Sequence, residues 1–310
     1  MNDDDNIVAL TALRSRQVKP PRTSDTNLPV IRIEAGELSR MVNEAETALT
    51  RADLGLYNHY NRLVRVVRDE ILTAGGGRTM VLRISQVQRP LLLEFFAAAA
   101  RFEKYNPRVE DYVPADCPDK VADAYLARDG SWELPRLLAV VNAPTFRPDG
   151  RILEEPGYDP KTGLLFDPQG VVFPKIKERP NRDDALEGLA ILGELLEGFS
   201  FVTMADKSVA FSAIITTVIR RSISVAPMHA FTAPVAGSGK SMLVDIAARI
   251  ATGRPAAVTS TGRDQPHGDA ELEKRLVSSL LGGDAVLTLD NLEGALGGEL
   301  LCQILTQPLP

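Results

Sequence analysis

One short glycine-rich segment carries the residue types whose chemistry is easiest to name. It reads Ala233-Pro234-Val235-Ala236-Gly237-Ser238-Gly239-Lys240-Ser241. Glycines at 237 and 239 let the backbone wrap closely around phosphate groups, with N–H groups pointing inward. Lys240 can reach the β and γ phosphates of a nucleotide, and the hydroxyl of Ser241 can ligate Mg²⁺. The spacing therefore predicts a Walker A loop that binds a nucleoside triphosphate.

The elements on either side of this loop must position it. An apolar run over 228–233 predicts a strand before the loop, and the apolar periodicity of 240–251 predicts a helix after it. The first glycine of the full Walker pattern falls on Pro234, and a plain glycine-rich turn is the alternative interpretation. The predicted nucleotide-contacting residues are Pro234, Val235, Ala236, Gly237, Ser238, Gly239, Lys240, Ser241 and Met242.

Besides the Ser241 hydroxyl, an acidic side chain is needed to hold magnesium beside a phosphate loop. The apolar run over 285–290 ends in Asp290, which predicts a Walker B strand in the same domain. An ordinary strand end with a turn-forming Asp is the alternative. Catalysis is assigned to Lys240, Asp290 and Glu293, although Glu293 could equally be a solvated acid. Asn291 stands where many motor ATPases carry a second acid, and its amide could polarise water instead.

Composition limits the class of protein. The chain has 310 residues, with 44% hydrophobic and 25% charged residues, which is typical of globular protein and allows about two domains. Its formal charge of -6 gives no general attraction for nucleic acid, so any such contact must be local. Only Cys117 and Cys302 are present, which favours a reducing, cytoplasmic setting. No apolar run reaches the roughly 18 residues of a membrane helix, so no membrane association is expected.

The order of patterns along the chain predicts an α/β protein in four parts. Residues 1–30 are expected to be a flexible tail, and 31–108 a small α+β domain that includes an amphipathic helix over 38–49. Pro, Gly and Asp clusters mark 109–183 as a turn-rich connector. Helices over 184–197 and 207–222 are expected to open a P-loop NTPase core that fills 184–310.

The second half of the chain resembles a family of phage and mobile-element ATPases of DNA replication. These are similar to the helicase parts of primase-helicase proteins, within the superfamily 3 and AAA+ ATPases. The residues that carry the resemblance are Pro144 to Gly150, Pro156 to Asp159, Ala226-Pro227, the loop from Ala233 to Ser241, and Val286 to Asn291. The resemblance implies ATP and Mg²⁺ as cofactors, held by Gly237, Gly239, Lys240, Ser241 and Asp290. It also implies a homo-oligomeric ring that moves along single-stranded DNA.

A complete core of this family continues with a sensor strand, an arginine finger and further helices. The sequence stops at Pro310 before any of these elements, so the core is expected to be incomplete at its carboxyl end. Because an arginine finger is worth several orders of magnitude in rate, we expect this chain alone to hydrolyse ATP slowly or not at all.

Three functions are compatible with the pattern. The first is a helicase-like ATPase, and the second is a nucleotide-binding switch or inactive remnant that acts through protein partners. The third is a small-molecule kinase, which is disfavoured because no arginine-rich lid follows the core.

Overall fold

The chain folds as a mixed α/β protein with several small sheets. The computed structural model describes residues 28–72, 78–235, 237–260, 268–282, 286–290, 292, 296 and 299–307. These described residues contain eight α-helices. The chain divides into two compact units, Met1–Val140 and Val141–Pro310. The predicted α/β character is therefore confirmed at this coarse level.

The first unit is built on a three-stranded sheet of order β1-β5-β6. Strand β1 (Val30–Ile33) runs parallel to β5 (Arg101–Asn106), and β5 runs antiparallel to β6 (Asp111–Ala115). A second sheet of order β2-β3-β4 is antiparallel throughout. Its strands are β2 (Leu56–His59), β3 (Arg62–Leu72) and β4 (Arg78–Gln86).

Three helices supply most of the core of this unit. They are α1 (Leu38–Ala52), α2 (Arg89–Ala99) and α3 (Asp119–Leu126). Helix α1 confirms the predicted helix, because its apolar stripe is buried through Met41, Val42, Ala45 and Leu49. The same core includes Tyr125 and Trp132, which lie beyond residue 108. Residues from the segment interpreted as a connector thus pack with the amino-terminal helices.

Short strands joined by turns come next along the chain. Strands β7 (Ala139–Val141), β10 (Gly157–Asp159) and β11 (Leu164–Phe166) form a sheet of order β10-β11-β7, and β8 (Thr145–Phe146) pairs with β9 (Ile152–Leu153). Asp159 is buried in β10, where it accepts hydrogen bonds from Arg147 Nε at 3.0 Å and Thr162 Oγ1 at 2.7 Å. The proline and glycine clusters of this region therefore connect very short strands.

Two capped helices follow the strands. Helix α4 (Arg182–Leu195) begins after Asn181 and α5 (Met204–Ile219) after Thr203, and each has a capping box whose N-cap and N3 side chains bond the opposite backbone N–H. Such caps fix where a helix begins. Both confirm the predicted helices, each within three residues at its ends.

The rest of the unit alternates helix and strand. The elements are α6 (Lys240–Thr252), β12 (Ala257–Ser260), α7 (Gly268–Gly282), β13 (Leu287–Asp290) and α8 (Glu299–Thr306). Strands β12 and β13 are parallel, in the register Ala257 with Leu287 through Ser260 with Asp290. Strand β12, helix α7 and strand β13 therefore form a β-α-β unit. The predicted helix over 240–251 and the predicted strand that ends at Asp290 are confirmed.

The strand predicted at 228–233 does not form. Half-buried His229, Phe231 and Ala233 alternate here with exposed Ala230 and Thr232, and the segment pairs with no strand among the described residues. Phe231 instead packs against the helical core around Leu196 and Ala247. A strand needs a partner for its backbone as well as apolar side chains, and a sequence pattern does not supply that information.

Among the described residues, no helix is both long and apolar enough to cross a bilayer.

Candidate phosphate-binding loop

The predicted loop meets the amino terminus of α6 through two glycines in the left-handed region. Gly237 has φ 77° and Gly239 has φ 87°, and Gly239 is the N-cap of the helix that begins at Lys240. A residue with a Cβ pays about 1–2 kcal/mol in this conformation, whereas glycine adopts it freely. The two positions therefore require glycine for a backbone reason, before any ligand is considered.

The surroundings of the two glycines differ. A Cβ added to Gly237 would meet no atom within 4 Å, whereas one added to Gly239 would lie 2.9 Å from Cε1 and 3.3 Å from Cδ1 of Phe199. Gly237 thus faces open space, and Gly239 lies against an aromatic ring.

The side chains around the loop are mostly accessible. Gly239 and Lys240 are half-buried, and the exposed residues are Pro234, Val235, Gly237, Ser238, Ser241 and Met242. Ala236 lies outside the described residues. An incoming ligand can therefore reach the loop.

The amino terminus of α6 offers backbone donors and a positive dipole end. The first hydrogen bond of the helix runs from Leu243 N to Gly239 O at 3.1 Å, so the N–H groups of Lys240, Ser241 and Met242 have no acceptor within the helix. The first turn contains no acidic residue that would offset the dipole. These features together favour an anion at this helix end.

Helix α6 is held firmly at its sides and at its carboxyl end. Ala247 packs in a core with Leu196 of the α4 end and Ile214 of α5. Asn142 N donates to Thr252 O at 2.8 Å, and a Cβ on Gly253 would lie only 2.7 Å from Asn142 Cβ. A helix fixed in this way gives the loop a rigid support.

The Walker B candidate lies at the carboxyl end of β13. Asp290 is half-buried and is paired in register with Ser260, the last residue of β12. In parallel α/β sheets, ligands bind outside the carboxyl ends of the strands. Helix α6 is linked to the amino end of β12, where Asp245 Oδ1 accepts a hydrogen bond at 3.2 Å from N of Ala256, the buried residue before the strand.

The chemistry of Ser241 and Asp290 fits magnesium. A hydroxyl and a carboxylate are oxygen donors of the kind that Mg²⁺ takes, and its other positions normally go to phosphate oxygens and water. Within the described ranges, no group of three or more His, Cys, Asp or Glu side chains could hold a metal by itself. The predicted site relies on only two protein side chains, so a nucleotide would have to complete it.

Other predicted residues fall outside the described part of the chain. These are the catalytic candidate Glu293 and its neighbour Asn291. Their roles stay predictions made from sequence.

Two neighbours of the loop were not expected from the sequence. Phe199 lies against Gly239, although 40 residues separate them, and no short-range pattern reports such a contact. Ser212 Oγ lies 3.2 Å from His229 Nε2, and partial burial lowers the pKa of His229. This contact connects the segment before the loop to α5.

Comparisons with other proteins add no family to this geometry. The chain matches no protein-family model, and searches of curated proteins and of solved structures found no match. Functional conclusions therefore depend on the residues themselves.

Proposed function

We propose that this chain binds ATP with Mg²⁺ through residues 234–242. The observation that carries the proposal is the pair of left-handed glycines, Gly237 and Gly239, placed directly before a helix whose first turn holds Lys240 and Ser241 and no acid. This arrangement combines backbone donors, a helix dipole and a cation at one accessible place. Triphosphate is the ligand for which such a combination is best known.

Each residue has a defined role in the proposal. Lys240 neutralises the β and γ phosphates, and the N–H groups of the first turn of α6 donate to phosphate oxygens. Ser241 and Asp290 are the magnesium ligands on the protein side, directly or through water. The metal, when bound, would neutralise charge that develops on the transferring phosphoryl group.

We further propose that ATP drives a helicase-like motor on single-stranded DNA in phage or mobile-element replication. The P-loop NTPase core, the homo-oligomeric ring and the DNA partner all come from the sequence resemblance. The parallel β-α-β unit that ends in Asp290 supports the core, because P-loop proteins place their acidic residue at such a strand end.

A nucleotide-binding switch or inactive remnant that acts through protein partners is the second candidate. It is favoured by one observation: Asn291, and not an acid, follows Asp290. Without a carboxylate to orient water, ATP would bind with little turnover.

Equilibrium binding with a matched control tests the common part of both candidates. Affinity for ATP with Mg²⁺ is measured for the wild-type chain, Lys240→Ala and Lys207→Ala. Lys207 suits as control because it is also a half-buried lysine in the first turn of a helix. We expect Lys240→Ala to lose about tenfold to a hundredfold in affinity, as charged hydrogen bonds are worth about 1.5–3 kcal/mol, and Lys207→Ala to bind as wild type. Equal affinity in all three would refute the site.

Hydrolysis then separates the two candidates. ATP turnover is measured with and without single-stranded DNA, with Lys240→Ala as the background. Turnover that DNA stimulates, and that the variant lacks, supports the motor. Binding without turnover in either condition supports the switch.

A further inference from the structure

Phe199 stands apart from the residues that the proposed function uses, because it contacts the phosphate loop without any group that could bind phosphate. Its ring occupies the side of Gly239 on which a Cβ would project, 2.9 Å from that position at Cε1. Gly239 is the N-cap of α6 and immediately precedes Lys240. A ring in this place limits where the backbone of the loop can go.

Phe199 is itself held in a tight turn. Its N–H donates to Leu196 O at 3.3 Å, and its own carbonyl accepts from Phe201 N at 3.1 Å. Leu196 is only 1% exposed and belongs to the core that includes Ala247 of α6. Two residues beyond Phe201, the capping box of Thr203 fixes the start of α5.

The turn that contains Phe199 therefore contacts both the helical core and the phosphate loop. The ring is half-buried and packs on the same helical core that holds α6, so its position follows that of the helix. Gly237 has no such neighbour within 4 Å, so the loop is supported at Gly239 and open at Gly237.

We propose that Phe199 is a positioning residue that holds the backbone of Gly239 and Lys240 in the conformation that binds phosphate. This inference rests on the proposed function. Phe199 does not bind the nucleotide itself. It raises the fraction of molecules in which the loop already has the binding conformation. If the ready fraction fell to about a tenth, the apparent Kd for the nucleotide would rise about tenfold.

Phe201 provides a matched control for this role. It is another half-buried phenylalanine of the same turn and the same core, and its ring centroid lies 6.3 Å from that of Phe199. Truncation of either ring removes similar apolar packing, whereas only Phe199 lies against Gly239. The conservative variant Phe199→Leu keeps much of the volume against the loop.

The experiment measures the Kd of the full chain for ATP with Mg²⁺ in Phe199→Ala, Phe201→Ala and Phe199→Leu, beside denaturant unfolding of each. We expect about a tenfold rise in Kd for Phe199→Ala, a Kd close to wild type for Phe201→Ala, and substantial rescue by Phe199→Leu. Similar loss of stability in the two alanine variants shows that packing alone is not the cause. Equal Kd values in the two alanine variants overturn the inference and leave ATP binding in place.

A second measurement needs no nucleotide. Hydrogen exchange of the backbone amides over 237–243 is compared between the same variants without ligand. Faster exchange in Phe199→Ala than in Phe201→Ala supports a loop backbone held by the Phe199 ring. If wild type then binds no ATP, the proposed function fails and only the hold of Phe199 on the loop backbone stands. Equal exchange in the two variants overturns the inference.

Discussion

Replacement of Gly239 by alanine should destabilise the second unit more than the same change at Gly237. Both positions have left-handed φ angles, 87° and 77°, so each alanine variant pays about 1–2 kcal/mol of backbone strain. Only at position 239 does the new Cβ approach the ring of Phe199, to 2.9 Å. Overpacking of this kind costs typically about 1–3 kcal/mol. We therefore expect Gly239→Ala to lose about 1–3 kcal/mol more than Gly237→Ala.

The assay is denaturant unfolding of the full chain, followed by far-ultraviolet circular dichroism. A double variant, Gly239→Ala with Phe199→Ala, removes the ring that the new Cβ would meet. Residues in contact give non-additive effects, so the double variant should be more stable than the sum of the single losses implies. Equal losses at positions 237 and 239, with strict additivity in the double variant, would refute the contact on which the argument depends.

Three further predictions concern the strands, the helix support and the pH dependence of stability. Asp290→Asn should weaken the dependence of ATP binding on magnesium more than binding itself, and an unchanged magnesium titration would make Asp290 an ordinary strand end. Asp245→Ala leaves the buried Ala256 N–H without its acceptor and should lower the free energy of unfolding by about 1–3 kcal/mol; Asp245→Asn, which keeps an acceptor, should lose less. Burial raises the pKa of Asp159, but its hydrogen bonds from Thr162 and Arg147 outweigh this and lower it overall. The stability that this carboxylate provides is therefore present above the unfolded pKa of about 3.9 and is lost as pH falls through the folded pKa. Unfolding midpoints that fall equally on acidification in wild type and Asp159→Asn would contradict this.

Local patterns predicted the elements that depend on local interactions. Helix α6 begins at Lys240, where the sequence changes from glycine-rich to apolar-periodic, and strand β13 ends at Asp290, the first charged residue after an apolar run. Helices α4 and α5 begin within three residues of the predicted starts, and the side chains that cap them lie within three residues of the backbone groups they bond. In each case the information is contained in a few neighbouring residues.

Features that depend on distant partners could not be predicted. The apolar run over 228–233 predicted a strand, but Phe231 packs on helices and the segment pairs with no strand in the part of the chain that the structure describes. The contact between Phe199 and Gly239 joins a turn to a loop 40 residues away. Such contacts are set by how the elements pack in three dimensions, and one sequence gives no signal for them.

The most direct test of the central claim is hydrogen exchange of the full chain with and without ATP and Mg²⁺. If the loop binds triphosphate, the amides of residues 237–243 should become the most protected on nucleotide addition, and Lys240→Ala should abolish that protection at the same concentration. Protection confined to other segments, or no change over 237–243 at saturating nucleotide, would contradict a phosphate site at the amino terminus of α6.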